Sequence, residues 1–162
     1  MYINMIYLIA AMTDNDIIDN EFHWDISHNS KWFRMNTTGG TVIMGRKTWE
    51  SLPNKPLDNC VHIILTRGIL PENSEHVYWK NSFDDAINSV WTRNTYIIGG
   101  SDIFHTSLLC RYVDSLLLTR VHTIVIGGNS LMLPDQKQMV FRSKEQKKRQ
   151  ISYHFEIYNI KK

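Results

Sequence analysis

Two stretches of the chain place glycine where a phosphate could be held. In Thr41-Val42-Ile43-Met44-Gly45-Arg46-Lys47-Thr48-Trp49-Glu50-Ser51-Leu52, an apolar, β-branched run changes at Gly45 into helix formers that Pro53 stops. A strand that turns through glycine into a helix aims several unpaired backbone N–H groups at one point, and Arg46 and Lys47 add positive charge there. This pattern predicts an anion site, with phosphate the obvious ligand. Tyr96-Ile97-Ile98 followed by Gly99-Gly100-Ser101-Asp102-Ile103-Phe104 repeats the pattern without the charge. One basic and one neutral turn in a small domain suit the two ends of a dinucleotide. A third strand, Cys60 to Thr66, runs into Arg67-Gly68. Ligands of open α/β sheets collect at the carboxyl ends of strands. Thr66 and Arg67 are therefore either the partners of a second phosphate or part of a solvated turn.

The elements that must position these turns read as strands alternating with helices. The apolar segment Met1 to Met12 has no positive n-region and is too short to span a bilayer, so it is expected to be a central strand. Asp14-Asn15-Asp16 turns the chain. Phe22 to Ile26 mixes aromatic and polar residues without a period, as in a loop folded on something apolar, and Ser30 to Thr37 reads as a helix ended by Gly39-Gly40. Val77-Tyr78-Trp79 is a short strand, Ser82 caps a helix with Asp84 and Asp85 in its first turn, and Ser115 to Val121 is a buried strand. Gln136 to Gln150 is an exposed strand and loop, and the alternating Ser152 to Ile160 is expected to close the sheet as an edge hairpin. The fold class is α/β with a mainly parallel sheet and an antiparallel C-terminal end.

A length of 162 residues suits one domain, 1–162, and 43% hydrophobic content suffices for one core. A net charge of +2 argues against nucleic acid or an acidic membrane surface as partner. Cys60 and Cys110 stand in no metal or redox spacing, so no metal is expected and both thiols fit a reduced, cytoplasmic setting.

Ile9 to Met12 (I-A-A-M), Trp32 to Thr37 (W-F-R-M-N-T), Val42 to Ser51 (V-I-M-G-R-K-T-W-E-S), Tyr96 to Gly100 (Y-I-I-G-G) and Ser152 to Ile157 (S-Y-H-F-E-I) resemble dihydrofolate reductase, in that family's order and spacing. The resemblance implies a single-domain mixed eight-stranded sheet, mainly parallel with an antiparallel C-terminal strand and flanked by four helices. It also implies a monomer that takes NADPH and a small-molecule substrate and transfers hydride to a pterin C=N bond. By resemblance, Gly45, Arg46, Lys47 and Thr48 take the diphosphate and 2′-phosphate, and Leu65, Thr66 and Arg67 the adenosine side. Gly99, Gly100, Ser101, Ile103 and Phe104 form the second turn, and Ala11 and Ile18 touch the nicotinamide.

The substrate half departs from the family. Ile9, Phe33, Leu52, Leu57 and Ile98 match positions that sandwich the pterin and aminobenzoyl rings, and Thr119 matches a hydroxyl that joins the family's acid to the pterin. That acid is replaced by Asn29, which with Trp24 and Thr119 makes up the catalytic set. An amide offers one acceptor and one donor, so one edge contact to the pterin becomes donor against donor. Asp25 is either a stand-in acid or a surface residue. Cys60 occupies the position of an arginine that clamps the glutamate tail; a thiol cannot do this, and Lys55 or Lys31 would have to substitute. Ser130 replaces an acid that helps hold the mobile loop, and Asp102 a phosphate-binding arginine of some members. Three readings follow: a slow or pH-shifted dihydrofolate reductase, a reductase of a non-folate pterin or pyrimidine, and a nucleotide-binding or structural protein without catalysis.

Overall fold

A computed structural model describes residues 4–18 and 31–162. Among these the chain forms β1 (Met5–Thr13), α1 (Lys31–Thr37), β2 (Thr41–Gly45), α2 (Arg46–Ser51), β3 (Val61–Leu65), β4 (Val77–Lys80) and α3 (Phe83–Asn88). It continues through β5 (Asn94–Gly99), α4 (Ser101–Leu109), β6 (Ser115–Val121), β7 (Lys137–Arg142), β8 (Gln146–Lys148) and β9 (Ile151–Ile160). The sheet order is β4-β3-β2-β5-β1-β6-β9-β7, with β8 also on β9. The strands from β4 to β6 pair in parallel, and β9 pairs antiparallel with β6, β7 and β8.

The apolar runs are continuous because both faces of the sheet are covered. Successive side chains of a strand point to opposite faces. Ile6, Leu8, Ala10 and Met12 of β1, with Ile43 of β2, therefore join a core with Phe83 of α3 and Phe104 of α4. Ile9 of β1 and Val42 and Met44 of β2 join the other core, with Phe33 of α1 and Leu52 after α2. Each fully buried side chain of this size, Leu8 or Ile43 for example, contributes about 1.5–3 kcal/mol. Ser82 caps α3 as the sequence predicts, its side chain accepting from the Asp85 N–H at 3.1 Å.

Two details differ from the sequence reading. The sheet has nine strands among the described residues, one more than the eight implied, because Gln146–Lys148 pairs with Ile151 to Tyr153. The segment Ser152 to Ile160 does not form the edge. It lies in β9, inserted between β6 and β7, so that the exposed strands β7 and β8 take the edge instead. The physical reason is β6, which is buried nearly throughout and needs a paired strand on each side.

Candidate active site

The carboxyl ends of β1, β2, β3 and β5 converge on one cleft of about 1150 Å³. A one-residue irregularity in the β2–β5 pairing, between Ile43 and Met44, sets Gly99 opposite Met44 and so brings the two glycine turns side by side. They touch closely. A methyl group on Gly45 would stand 3.4 Å from Ile103 Cγ1 and 3.9 Å from the Gly100 nitrogen, and one on Gly99 would meet the Phe104 ring at 3.2 Å. Gly99 also has φ +115, a conformation that side chains disfavour. Thr48 sits between the turns, its hydroxyl 3.5 Å from where a Gly100 side chain would begin.

The helices at this cleft start differently from α3. Gly45 and Gly100 are the N-caps of α2 and α4, and neither start carries a side-chain cap, whereas α3 is capped by Ser82. Glycine caps leave the first backbone N–H groups open to a ligand. Arg46, Lys47 and Arg67 line the same cleft, with Asp102 the acidic residue among the lining side chains. Arg46, about half exposed, already pairs with Glu50 one turn on at 2.7 Å.

Each residue that the sequence assigns to a cofactor lies on this cleft: Ala11 and Ile18, Gly45 to Thr48, Leu65 to Arg67, Gly99 to Ser101, Ile103 and Phe104. Sequence reasoning missed Asn81. Its side-chain amide donates to the Thr66 and Gly68 carbonyls, both at 3.2 Å, and so fixes the turn that carries Arg67. No local pattern signals it, since Asn81 stands 15 residues from Thr66. Ile18 is brought to the cleft by pairing with the segment around Ser130: Ile17 bridges Ser130, and the Ile18 N–H donates to the Asn129 carbonyl at 2.9 Å.

The substrate-side residues gather on the other core. Ile9, Phe33, Leu52, Cys60 and Ile98 are buried in one cluster, with Leu57 packed against it. Thr119 is buried in β6 between Ala11 of β1 and Phe155 of β9, and it does not line the cleft. Cys60 faces inward; its thiol donates to the Thr37 carbonyl at 3.4 Å, and burial pushes its pKa up. Lys55 is engaged elsewhere, its ammonium donating to the Trp49 and Glu50 carbonyls at 3.2 and 3.0 Å at the end of α2. Lys31 is exposed at the start of α1. Trp32 stacks on Phe155 at 4.3 Å, and its indole N–H is buried with no hydrogen-bond partner among the described residues. Trp24, Asp25 and Asn29 lie outside the described residues.

Cleft and apolar cluster meet at Ile9 and Ile98, which belong to both. A family model described as dihydrofolate reductase matches residues 5–161. The chain belongs to the dihydrofolate reductase family. It is 41% identical over 123 residues to the dihydrofolate reductase of Haemophilus influenzae, which covers 74% of either chain. It is 32% identical over 162 residues to that of Buchnera aphidicola subsp. Acyrthosiphon pisum, covering 94% of this chain and 97% of the relative. The dihydrofolate reductase of Bacillus subtilis is 29% identical over 165 residues, with 97% and 95% covered. As a member of the dihydrofolate reductase family, the chain is an oxidoreductase. Among the described residues no helix is long and apolar enough to cross a membrane.

Proposed function

We propose that this protein reduces dihydrofolate to tetrahydrofolate with NADPH. The observation that carries this reading is the junction at Ile9 and Ile98, where a phosphate-ready cleft opens onto a buried apolar cluster. The residues present fit a dinucleotide, because close-set glycines leave room for a backbone-hugging diphosphate and open N–H groups face it. NADPH bound there supplies a hydride. Gly45 to Thr48 and Gly99 to Ser101 would hold its diphosphate, and Arg46, Thr66 and Arg67 the phosphate that distinguishes it from NADH. Ile9, Phe33, Leu52, Leu57 and Ile98 would hold the flat substrate rings and exclude water.

By the resemblance, the proton for the substrate nitrogen is where this chain departs from the family pattern. Asn29 cannot ionise, so the edge contact is weaker by about 1.5–3 kcal/mol than a carboxylate would give. Reduction is therefore slow, or shifted in its pH dependence. The inward thiol of Cys60 and the engaged ammonium of Lys55 favour a second reading, a pterin or pyrimidine without a glutamate tail.

The test is NADPH oxidation followed with dihydrofolate, with dihydrobiopterin and with no acceptor, across pH, beside nucleotide titrations of tryptophan fluorescence. Turnover of dihydrofolate and tighter binding of NADPH than NADH support the first reading. Turnover of dihydrobiopterin alone moves the assignment to the second. No oxidation with either acceptor leaves a nucleotide-binding protein.

A further inference from the structure

His62 of β3 is fully buried, and both of its ring nitrogens are committed to backbone groups. Nε2 lies 2.9 Å from the Leu57 N–H and Nδ1 lies 3.1 Å from the His76 carbonyl. A backbone amide can only donate and a carbonyl can only accept, so the partners fix the tautomer: Nδ1 carries the proton and Nε2 is bare. The Cys60 backbone also acts on the ring, and aromatic and apolar residues pack beside it. Trp49 of α2 meets it edge-on at 5.5 Å, and Val42 of β2 and Val77 of β4 flank it in the sheet.

What this ring holds is the Leu57 loop. That loop is anchored at one end by Lys55 on the α2 carbonyls and at the other by the Asn59 carbonyl, which accepts from the Gly39 N–H at 2.8 Å. Between these anchors, the Leu57 N–H is tied to His62.

We propose that His62 is a pH-sensitive positioning residue: its neutral ring holds Leu57 against the substrate pocket, and its protonation releases Leu57. This rests on the folate-site reading of Leu57 given above. The added proton must go onto Nε2, where it would face the Leu57 N–H, donor against donor. Burial already pulls the pKa of His62 below its usual value, helped by the like charge of His76 and opposed in part by the backbone carbonyls of His76 and Cys60. Of the charged and titratable groups nearby, His76 acts on the ring itself. The others are Glu75, which pairs with His76 at 3.5 Å, Asp58, the Cys60 thiol and Lys55 on the loop, Lys55 lying over the Trp49 ring, and the Arg46–Glu50 pair on α2. Among the described residues no carboxylate is hydrogen-bonded to the ring to hold a second proton on it.

The closing experiment compares wild type with His62→Gln, whose amide oxygen can accept from the Leu57 N–H at any pH. With NADPH saturating, the wild-type KM for dihydrofolate should rise about threefold or more as pH is lowered below the usual imidazole value of about 6.5 and on through the lowered pKa of His62, with kcat moving less; a wild-type KM that stays flat down to the pH of acid unfolding overturns the proposal. The variant should show a flat profile. An equal rise in both proteins overturns the proposal. A second readout needs no turnover: by nitrogen NMR, wild-type His62 should be the Nδ1–H tautomer near neutral pH, and the Leu57 amide shift should follow the titration of its ring. A Leu57 amide blind to that titration overturns the proposal. If the amide follows it while dihydrofolate is not reduced at any pH, the lock stands and the folate reading of the pocket falls.

Discussion

Glu156 Oε1 lies 2.7 Å from His154 Nε2, with both side chains buried. The carboxylate also accepts from Tyr158 at 3.0 Å and faces Arg120 at 3.7 Å. Arg120 in turn donates to the Thr13 carbonyl at 2.9 Å and to Asp16 at 2.8 Å, while His122 links His154 at 2.9 Å to Asp14 at 3.3 Å. A single buried acid thus gathers the groups that brace the turn leading to Ile18. Glu156→Gln should lower stability by about 2–3 kcal/mol, since a neutral amide leaves one buried donor without an acceptor. Urea unfolding at neutral pH measures it; a loss within error of zero would mean that the network does not hold the turn.

The buried state of His62 also sets a stability trend. Its folded pKa lies below the unfolded value of 6.5, so above that value both states are neutral and its contribution is complete. As pH falls below it, the unfolded chain takes the proton first, and stability is lost until the folded pKa is passed. The stability of His62→Gln relative to wild type should therefore improve as pH drops from about 7 toward 5. Denaturant unfolding at each pH checks this; a constant difference contradicts it.

The two glycine turns should respond differently to alanine. Gly99→Ala meets both the strained φ and the Phe104 ring, and should cost about 1–3 kcal/mol of stability together with nucleotide affinity. Gly45→Ala has an ordinary φ of −78 and a contact at the edge of van der Waals range, so stability should change little. Its methyl would nonetheless stand between the turns, and NADPH affinity should fall about tenfold or more. Melting temperature and nucleotide titration separate the two effects.

Asn29→Asp should raise kcat/KM for dihydrofolate at neutral pH by about tenfold or more, by restoring a two-pronged, charge-assisted contact to the pterin edge. Cys60→Arg restores the arginine that the resemblance places on the glutamate tail, and from the sequence alone it is expected mainly to lower KM; in this fold it should instead destabilise the protein. Its side chain would start from the inward position of a thiol that now donates to the Thr37 carbonyl. Steady-state kinetics beside thermal unfolding of the two variants distinguish these outcomes; a stable Cys60→Arg protein with lower KM would show that the side chain turns outward.

The sequence by itself determined the local grammar of the site. Thr41 to Leu52 and Tyr96 to Phe104 announce strand, glycine turn and helix because the period of apolar residues and the position of glycine are properties of neighbours along the chain. The Ser82 cap was legible for the same reason. Tertiary structure alone decided what depends on pairing between distant segments. That β9 sits inside the sheet follows from the demand of β6 for a second partner, which no period within Ser152 to Ile160 encodes. The approach of Gly45 to Gly100 depends on a pairing irregularity between β2 and β5, and the turn at Arg67 on Asn81. His62 looked like any strand histidine until the Leu57 N–H and the His76 carbonyl were set at its two nitrogens. Those partners come from a loop and from the turn before β4, and a buried polar side chain takes its role from whichever backbone groups the fold brings within reach.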